Sequence, residues 1–238
     1  MDTPGQAQVQ HKSPIALAIH GAGAGGWEFN LWRRRFMAAG WVFHAPDLRA
    51  LDPLQRTTLA DYRAQVAQCC ASLAPDLLIG ASLGGLLALL AGPVPRRILI
   101  NPLPALPWVA QLPPQKWPAT IQWAHRHDLA STRRALGRVD SASAAFANQR
   151  WRDESGAVLS DALGGVALDQ QPSRMLVIAG AQDCDIPAAV SQCMARDLGA
   201  DYLEWPDAGH VDVLFGSAAQ PLLDHVLDWL GDCRSPHS

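Results

Sequence analysis

Apolar residues in this chain come in short, dense runs separated by longer segments with a helical rhythm. The runs at 15–19, 41–45, 77–79, 97–100, 175–179 and 202–205 are too short for buried helices and are bounded by turn-forming residues, so each reads as a strand. Between them, Trp27, Leu31 and Ala38 recur by turns over 27–39, which Gly40 closes. Thr58 and Asp61 stand at capping-box spacing at the head of a helix over 58–73. Pro187 suits the first turn of a helix over 187–198. Leu222, Leu223, Val226, Leu227 and Leu230 line the inner face of a last helix over 219–230.

About six strands alternating with helices predict an α/β fold: a mostly parallel, doubly wound sheet with helices on both faces and right-handed crossovers. Ligands of such sheets bind beyond the carboxyl ends of the strands. The alternation breaks after 101. The next stretch is proline-rich and carries Trp108, Trp117 and Trp123, and helical segments are expected at 119–136, 141–151 and 156–163. We read 102–171 as a helical lid inserted into a core made of 15–101 and 172–238, with 1–14 as a flexible N-terminal arm.

The stretch at 76–91 carries the main candidate chemistry. A strand meets Gly80-Ala81-Ser82-Leu83-Gly84, and a helix begins at once. In a strand–turn–helix, Gly-x-Ser-x-Gly is the pattern of a nucleophile elbow, because small neighbours let strand and helix approach closely. The turn lifts the Ser82 hydroxyl above the sheet and aims the Leu83 N–H at the same space. Taken alone, the pattern also describes a glycine-rich turn with a surface serine. Context favours the elbow: Asp183 follows the fifth strand, His210 follows the sixth, and both loops open on the same face as Ser82. Asp185 is a rival acid two residues further on. His20 ends the first strand and reads as a brace rather than a base. Gly21, Gly23 and Gly26 satisfy G-x-G-x-x-G, but Asp47 follows Pro46 in a loop, so a dinucleotide reading rests on a lone match. His125 and His127 are two apart and do not share a helix face, so they do not form a metal pair.

Composition narrows the classes. A chain of 238 residues with 49% hydrophobic and 17% charged residues suits a buried, doubly covered sheet. Its net charge of −3 makes nucleic acid an unexpected partner. The 5 cysteines are odd in number and include no C-x-x-C, which suits reduced thiols in the cytoplasm rather than disulfides or a zinc site. Residues 1–14 lack the apolar core of a signal peptide, and no apolar run is long enough for a membrane span, so no membrane partner is expected.

The motifs in the order nucleophile, acid, histidine resemble the α/β-hydrolase fold superfamily over about 15–101 and 172–231. The resemblance rests on the elbow, on Gly180-x-x-Asp183-x-x-x-Pro187, on Ala208-Gly209-His210, and on His20-Gly21-Ala22 with the later Trp27, which is similar to the family's oxyanion loop. There are two departures: 1–14 is too short for the family's usual opening hairpin, and Ala81 stands where histidine is common. The resemblance implies a cofactor-free serine esterase or thioesterase with catalytic Ser82, Asp183 and His210. The N–H groups of Ala22 and Leu83 would form the oxyanion hole, and Trp27 and Trp108 would contact a small-molecule substrate with an apolar acyl group. No metal is implied. Two further readings stay open. One is a lyase of the hydroxynitrile type, although Val211 rather than lysine follows His210. The other is a non-catalytic small-molecule binder on the same fold.

Overall fold

The computed structural model describes residues 12–124, 129–136, 139–169 and 173–232. Most of the expected arm, His125, His127 and Cys233 lie outside the described residues.

Strand β1 (Ile15–Ile19) leads through a 3-10 turn (Gly26–Phe29) into α1 (Asn30–Ala38). Strand β2 (Val42–His44) and helix α2 (Leu59–Leu73) follow, and α2 opens on the Thr58–Asp61 capping box. Next come β3 (Leu77–Ala81), α3 (Leu83–Leu90) and β4 (Arg96–Ile100). The inserted stretch contains β5 (Thr120–Ile121), α4 (Leu129–Leu136), α5 (Ser141–Asn148), β6 (Glu154–Ser155) and α6 (Gly156–Leu163). The chain then continues through β7 (Arg174–Gly180), α7 (Ala188–Leu198), β8 (Asp201–Trp205), α8 (Asp212–Phe215) and α9 (Ala219–Gly231).

Six strands form one parallel sheet in the order β2-β1-β3-β4-β7-β8. The doubly wound α/β sheet expected from the alternation is therefore present. Successive strands run outward from β1 to β2 and then, on the other side of β1, from β3 to β8. The winding direction changes between β1 and β3, and a crevice opens at such a switch point.

Side-chain alternation along the strands divides the core into two layers. Leu77 and Ile79 of β3, with Ile98, Ile100 and Ile178, pack against Phe29, Trp32 and Phe36 near α1 and Leu222, Leu223 and Val226 of α9. Leu78, Leu99 and Val177 face the other way, against Val66 of α2, Leu86 and Leu87 of α3, and Val190 and Met194 of α7. No helix among the described residues is long and apolar enough to cross a membrane.

Two local expectations are corrected and one element is added. The helix expected over 119–136 opens instead as a two-residue strand, Thr120–Ile121, paired antiparallel with Glu154–Ser155. A Cβ on Gly156 would stand 1.9 Å from the Pro118 carbonyl oxygen, and Gly156 N–H donates to the Ala119 carbonyl, so the two chain segments meet backbone to backbone and pair as strands. The helix expected from Trp27 begins as a tight 3-10 turn and becomes α-helical only at Asn30. Helix α8, after His210, is too short to leave a periodic trace in sequence.

Arg97 is 2% exposed in the middle of the sheet. Its guanidinium donates to the carbonyls of Ala88 (3.0 Å), Ala91 (3.2 Å), Gly92 (2.6 Å) and Val94 (3.5 Å), closing the end of α3 with a cation. Arg97→Met is expected to leave those carbonyls unpaired and to lower stability by about 2–4 kcal/mol. Urea denaturation would show this as a lower midpoint with an unchanged slope.

Candidate active site

The turn from β3 to α3 is closed by contacts that exclude side chains. A Cβ on Gly80 would lie 2.1 Å from the Gly84 carbonyl oxygen, and one on Gly84 would lie 2.1 Å from that of Ile19. Ser82 sits on the turn at φ 52° and ψ −118°, a strained backbone for a residue with a Cβ. Its N–H donates to Ile100 and its carbonyl accepts from Leu103, which pins it to the end of β4. The side chain is half-buried, and its hydroxyl has no hydrogen-bond partner among the described residues. Neither has the N–H of Leu83, the first residue of α3.

The loop after β1 runs beside this turn. A Cβ on Gly21 would stand 3.3 Å from that of Ser82. Buried His20 braces the loop: Nε2 accepts from Leu48 N–H (2.9 Å) and faces the Arg152 guanidinium (3.2 Å), so Nδ1 carries the proton and donates to the Gly21 carbonyl (2.7 Å). Burial, reinforced by Arg152, lowers its pKa to about 4 and keeps it neutral. This matches the reading of His20 as a brace. Several of the loop's N–H groups are held from different directions. Gly21 N–H donates to Glu28 Oε2 (3.1 Å), Gly23 N–H to Glu154 Oε2 (3.0 Å) and Gly26 N–H to Asp47 Oδ1 (2.7 Å). The N–H of Ala22, between two anchored glycines, has no acceptor among the described residues. Ala22 and Leu83 are thus among the backbone donors left uncommitted on the two loops beside Ser82, with Gly25 and Gly84.

His210 and Asp183 are joined directly, Nδ1 to Oδ2, at 2.7 Å. The other oxygen of Asp183 accepts from the N–H groups of Asp185 (2.8 Å) and Ile186 (2.9 Å), so the carboxylate has little freedom to turn. Asp185 is exposed and makes no hydrogen bond to His210 among the described residues, so the geometry pairs His210 with Asp183. The Asp183, Asp185 and His210 side chains could together offer ligand atoms to a metal, but those of Asp183 and His210 Nδ1 are already engaged with one another and with backbone donors. Burial acts against charge on His210. The Asp183 carboxylate outweighs it, with help from Asp185 and Glu28, and the pKa rises to about 9.

The site also uses residues passed over in the sequence. Asn101, at φ 42° after β4, donates to the His210 carbonyl (2.6 Å) and accepts from Gly180 N–H (2.7 Å), clamping the histidine and acid loops together. Its sequence signal is slight: an Asn between a strand and Pro102, a residue type tolerant of positive φ. Glu28 and Glu154 gave none, since one falls within an amphipathic pattern and the other among the polar residues of the insertion.

The two tryptophans differ in setting. Trp27 packs against Phe146 (5.8 Å), Trp151 (5.3 Å) and Phe215 (5.3 Å), so it joins the insertion to the segment after His210. Trp108 is buried, and its indole N–H is committed to Asp197 of α7 (2.8 Å).

The model of the "Alpha/beta hydrolase family" matches residues 16–224. Solved structures of similar shape include polyneuridine aldehyde esterase (TM-score 0.72, 17% identity, 92% of this chain and 99% of that one). A pyrethroid hydrolase from Sphingobium faniae (TM-score 0.71, 19% identity) covers 92% of this chain and 97% of that one. Tomato methylketone synthase I complexed with 2-tridecanone (TM-score 0.73, 18% identity) covers 93% and 99%. Identities this low establish the fold alone. No curated protein matches the sequence.

A short Nδ1–H bond to a carboxylate should give a far-downfield proton resonance for His210. Asp183→Asn is expected to abolish it and Asp185→Asn to retain it in the proton NMR spectrum. The reverse pattern would exchange the two roles.

Proposed function

The chain belongs to the alpha/beta hydrolase family, and from that premise we propose that it is a cofactor-independent serine hydrolase acting on esters or thioesters. One observation carries this reading: beside a strained, accessible Ser82, the N–H groups of Ala22 and Leu83 are uncommitted while most of their neighbours are tied down. That is the arrangement needed to receive an oxyanion. The His210–Asp183 pair supports it by supplying a base with a defined tautomer. The shape likeness to an esterase and a pyrethroid hydrolase agrees with it, while methylketone synthase I is a reminder that fold and reaction are separable.

In this mechanism neutral His210 accepts the Ser82 hydroxyl proton at Nε2 as Oγ bonds to the acyl carbon. Charge moves to the carbonyl oxygen, where the Ala22 and Leu83 N–H groups stabilise it. Asp183 stabilises the imidazolium, which returns its proton to the leaving alkoxide or thiolate as the acyl-enzyme forms. Water, deprotonated by His210, then releases the acid. The insertion at 102–171 would cover the acyl group. Trp27, beside Phe146 and Trp151, would form an apolar wall, and Trp108, fixed by Asp197, would contribute only through its ring face.

Turnover requires neutral His210, whose pKa is raised to about 9. Below that value the imidazolium predominates, so kcat/KM for p-nitrophenyl esters is expected to rise with pH and to level off only above about pH 9. A fluorophosphonate probe should label the wild type and not Ser82→Ala, and that substitution should lower kcat by about 10⁴-fold or more. Equal labelling of both would remove Ser82 from its role. Trp27→Ala is expected to change the kcat/KM ratio of short to long acyl chains by about 10-fold or more. An unchanged ratio would place Trp27 outside the pocket.

A further inference from the structure

A second carboxyl lies beside the elbow. Glu28, on the 3-10 turn before α1, is 1% exposed. The only hydrogen bond to its carboxylate among the described residues is from the Gly21 N–H to Oε2, at 3.1 Å. A methyl group built on Gly21 would lie 3.3 Å from Ser82 Cβ and 3.9 Å from Glu28 Oε2, so serine and carboxylate both approach this one glycine. The charges that act on Glu28 are those of His210 and Arg152, and those that act on His210 are Asp183, Asp185 and Glu28. A fully buried carboxylate is normally paired, and the one partner here is the backbone of the loop beside Ser82.

We propose that Glu28 is a positioning residue of this site: its carboxylate orients the Gly21–Ala22 stretch that presents the Ala22 N–H, and its negative charge complements Asp183 in balancing the His210 imidazolium. The inference deepens the serine-hydrolase reading and rests on it for its kinetic part. Two opposed effects meet in one group. An anion here strengthens the imidazolium but weakens an oxyanion nearby, and partial protonation moderates both. Burial raises the Glu28 pKa to about 7, against the pull of the Gly21 N–H, His210 and Arg152, so its charge state changes across neutrality.

The first test needs no substrate. The His210 ring resonances, assigned by their loss in His210→Asn, are titrated by NMR in the wild type and in Glu28→Gln. Removal of the negative charge should move the His210 midpoint to lower pH. An unchanged or higher midpoint overturns the electrostatic role. The second test is kinetic. Glu28→Ala, which deletes the acceptor for Gly21 N–H, should lower the high-pH plateau of kcat by about 10- to 100-fold with little change in KM, short of the loss for an absent oxyanion donor. Glu28→Gln keeps an acceptor oxygen and should lose less. If the two variants lose equally, or the loss falls on KM, the orienting role is wrong. A wild type that turns over no ester would overturn the hydrolase reading, while the NMR titration would still decide the link between Glu28 and His210.

Discussion

The structure depends on how closely α3 can cross β3 and β1. Two backbone carbonyls, of Gly84 and Ile19, occupy the places where Cβ atoms of Gly80 and Gly84 would be, and Pro102 stands where a Cβ of Gly85 would come within 2.6 Å. At an ordinary helix–sheet spacing, Ser82 could relax out of its positive φ. With the helix drawn in, the serine is held on the turn at the end of β3, and the first N–H of α3 has no backbone acceptor among the described residues. The strain at Ser82 is sustained by packing: every residue of α3 is buried, and Arg97 closes its far end.

A second constraint is polar. His20, Glu28 and Glu154 are each less than 4% exposed, a costly placement that is tolerable only when each group is hydrogen-bonded. All three are spent on the 20–28 loop or its supports. Glu154 alone joins three elements, accepting from Gly23 N–H, from the Tyr62 hydroxyl of α2 (3.0 Å) and from its neighbour Ser155 (2.9 Å). The loop is thereby held at several points along its length, and under the proposed mechanism such fixing is the condition in which a backbone N–H stabilises developing charge most effectively.

The same network changes how the insertion is understood. Arg152 N–H donates to the Gly23 carbonyl at 2.6 Å, Asp161 accepts from Leu59 N–H at the head of α2, and Trp123 packs where a Gly23 side chain would be. Val158 and Leu159 of α6 join one core layer, while Ala144 and Ala147 of α5 join the other. The insertion therefore contributes to both layers and to the support of the loop beside Ser82. Its short β5–β6 ribbon places Glu154 and Arg152 where the loop needs them.

Local rules of sequence were enough to place the sheet, its two coats of helices and the three loops that bear Ser82, Asp183 and His210. These follow from local rules: apolar runs of strand length, periodic helices, and glycines where no side chain fits. The elbow pattern also located the Leu83 N–H, because a backbone donor is placed by the turn that carries it, while Ala22 came only from the resemblance of the His20-Gly21-Ala22 loop to the family's. The motif spacing already favoured Asp183 over its rival Asp185, and the fold adds the contact itself: the packed loop turns Asp183 rather than Asp185 onto His210 Nδ1. The tertiary structure alone revealed Asn101, Glu28 and Glu154, whose partners lie far along the chain or depend on a turn that periodicity mistook for α-helix. A buried polar residue has no pattern of its own. Its meaning comes from the group it faces, and folding brings that group into place.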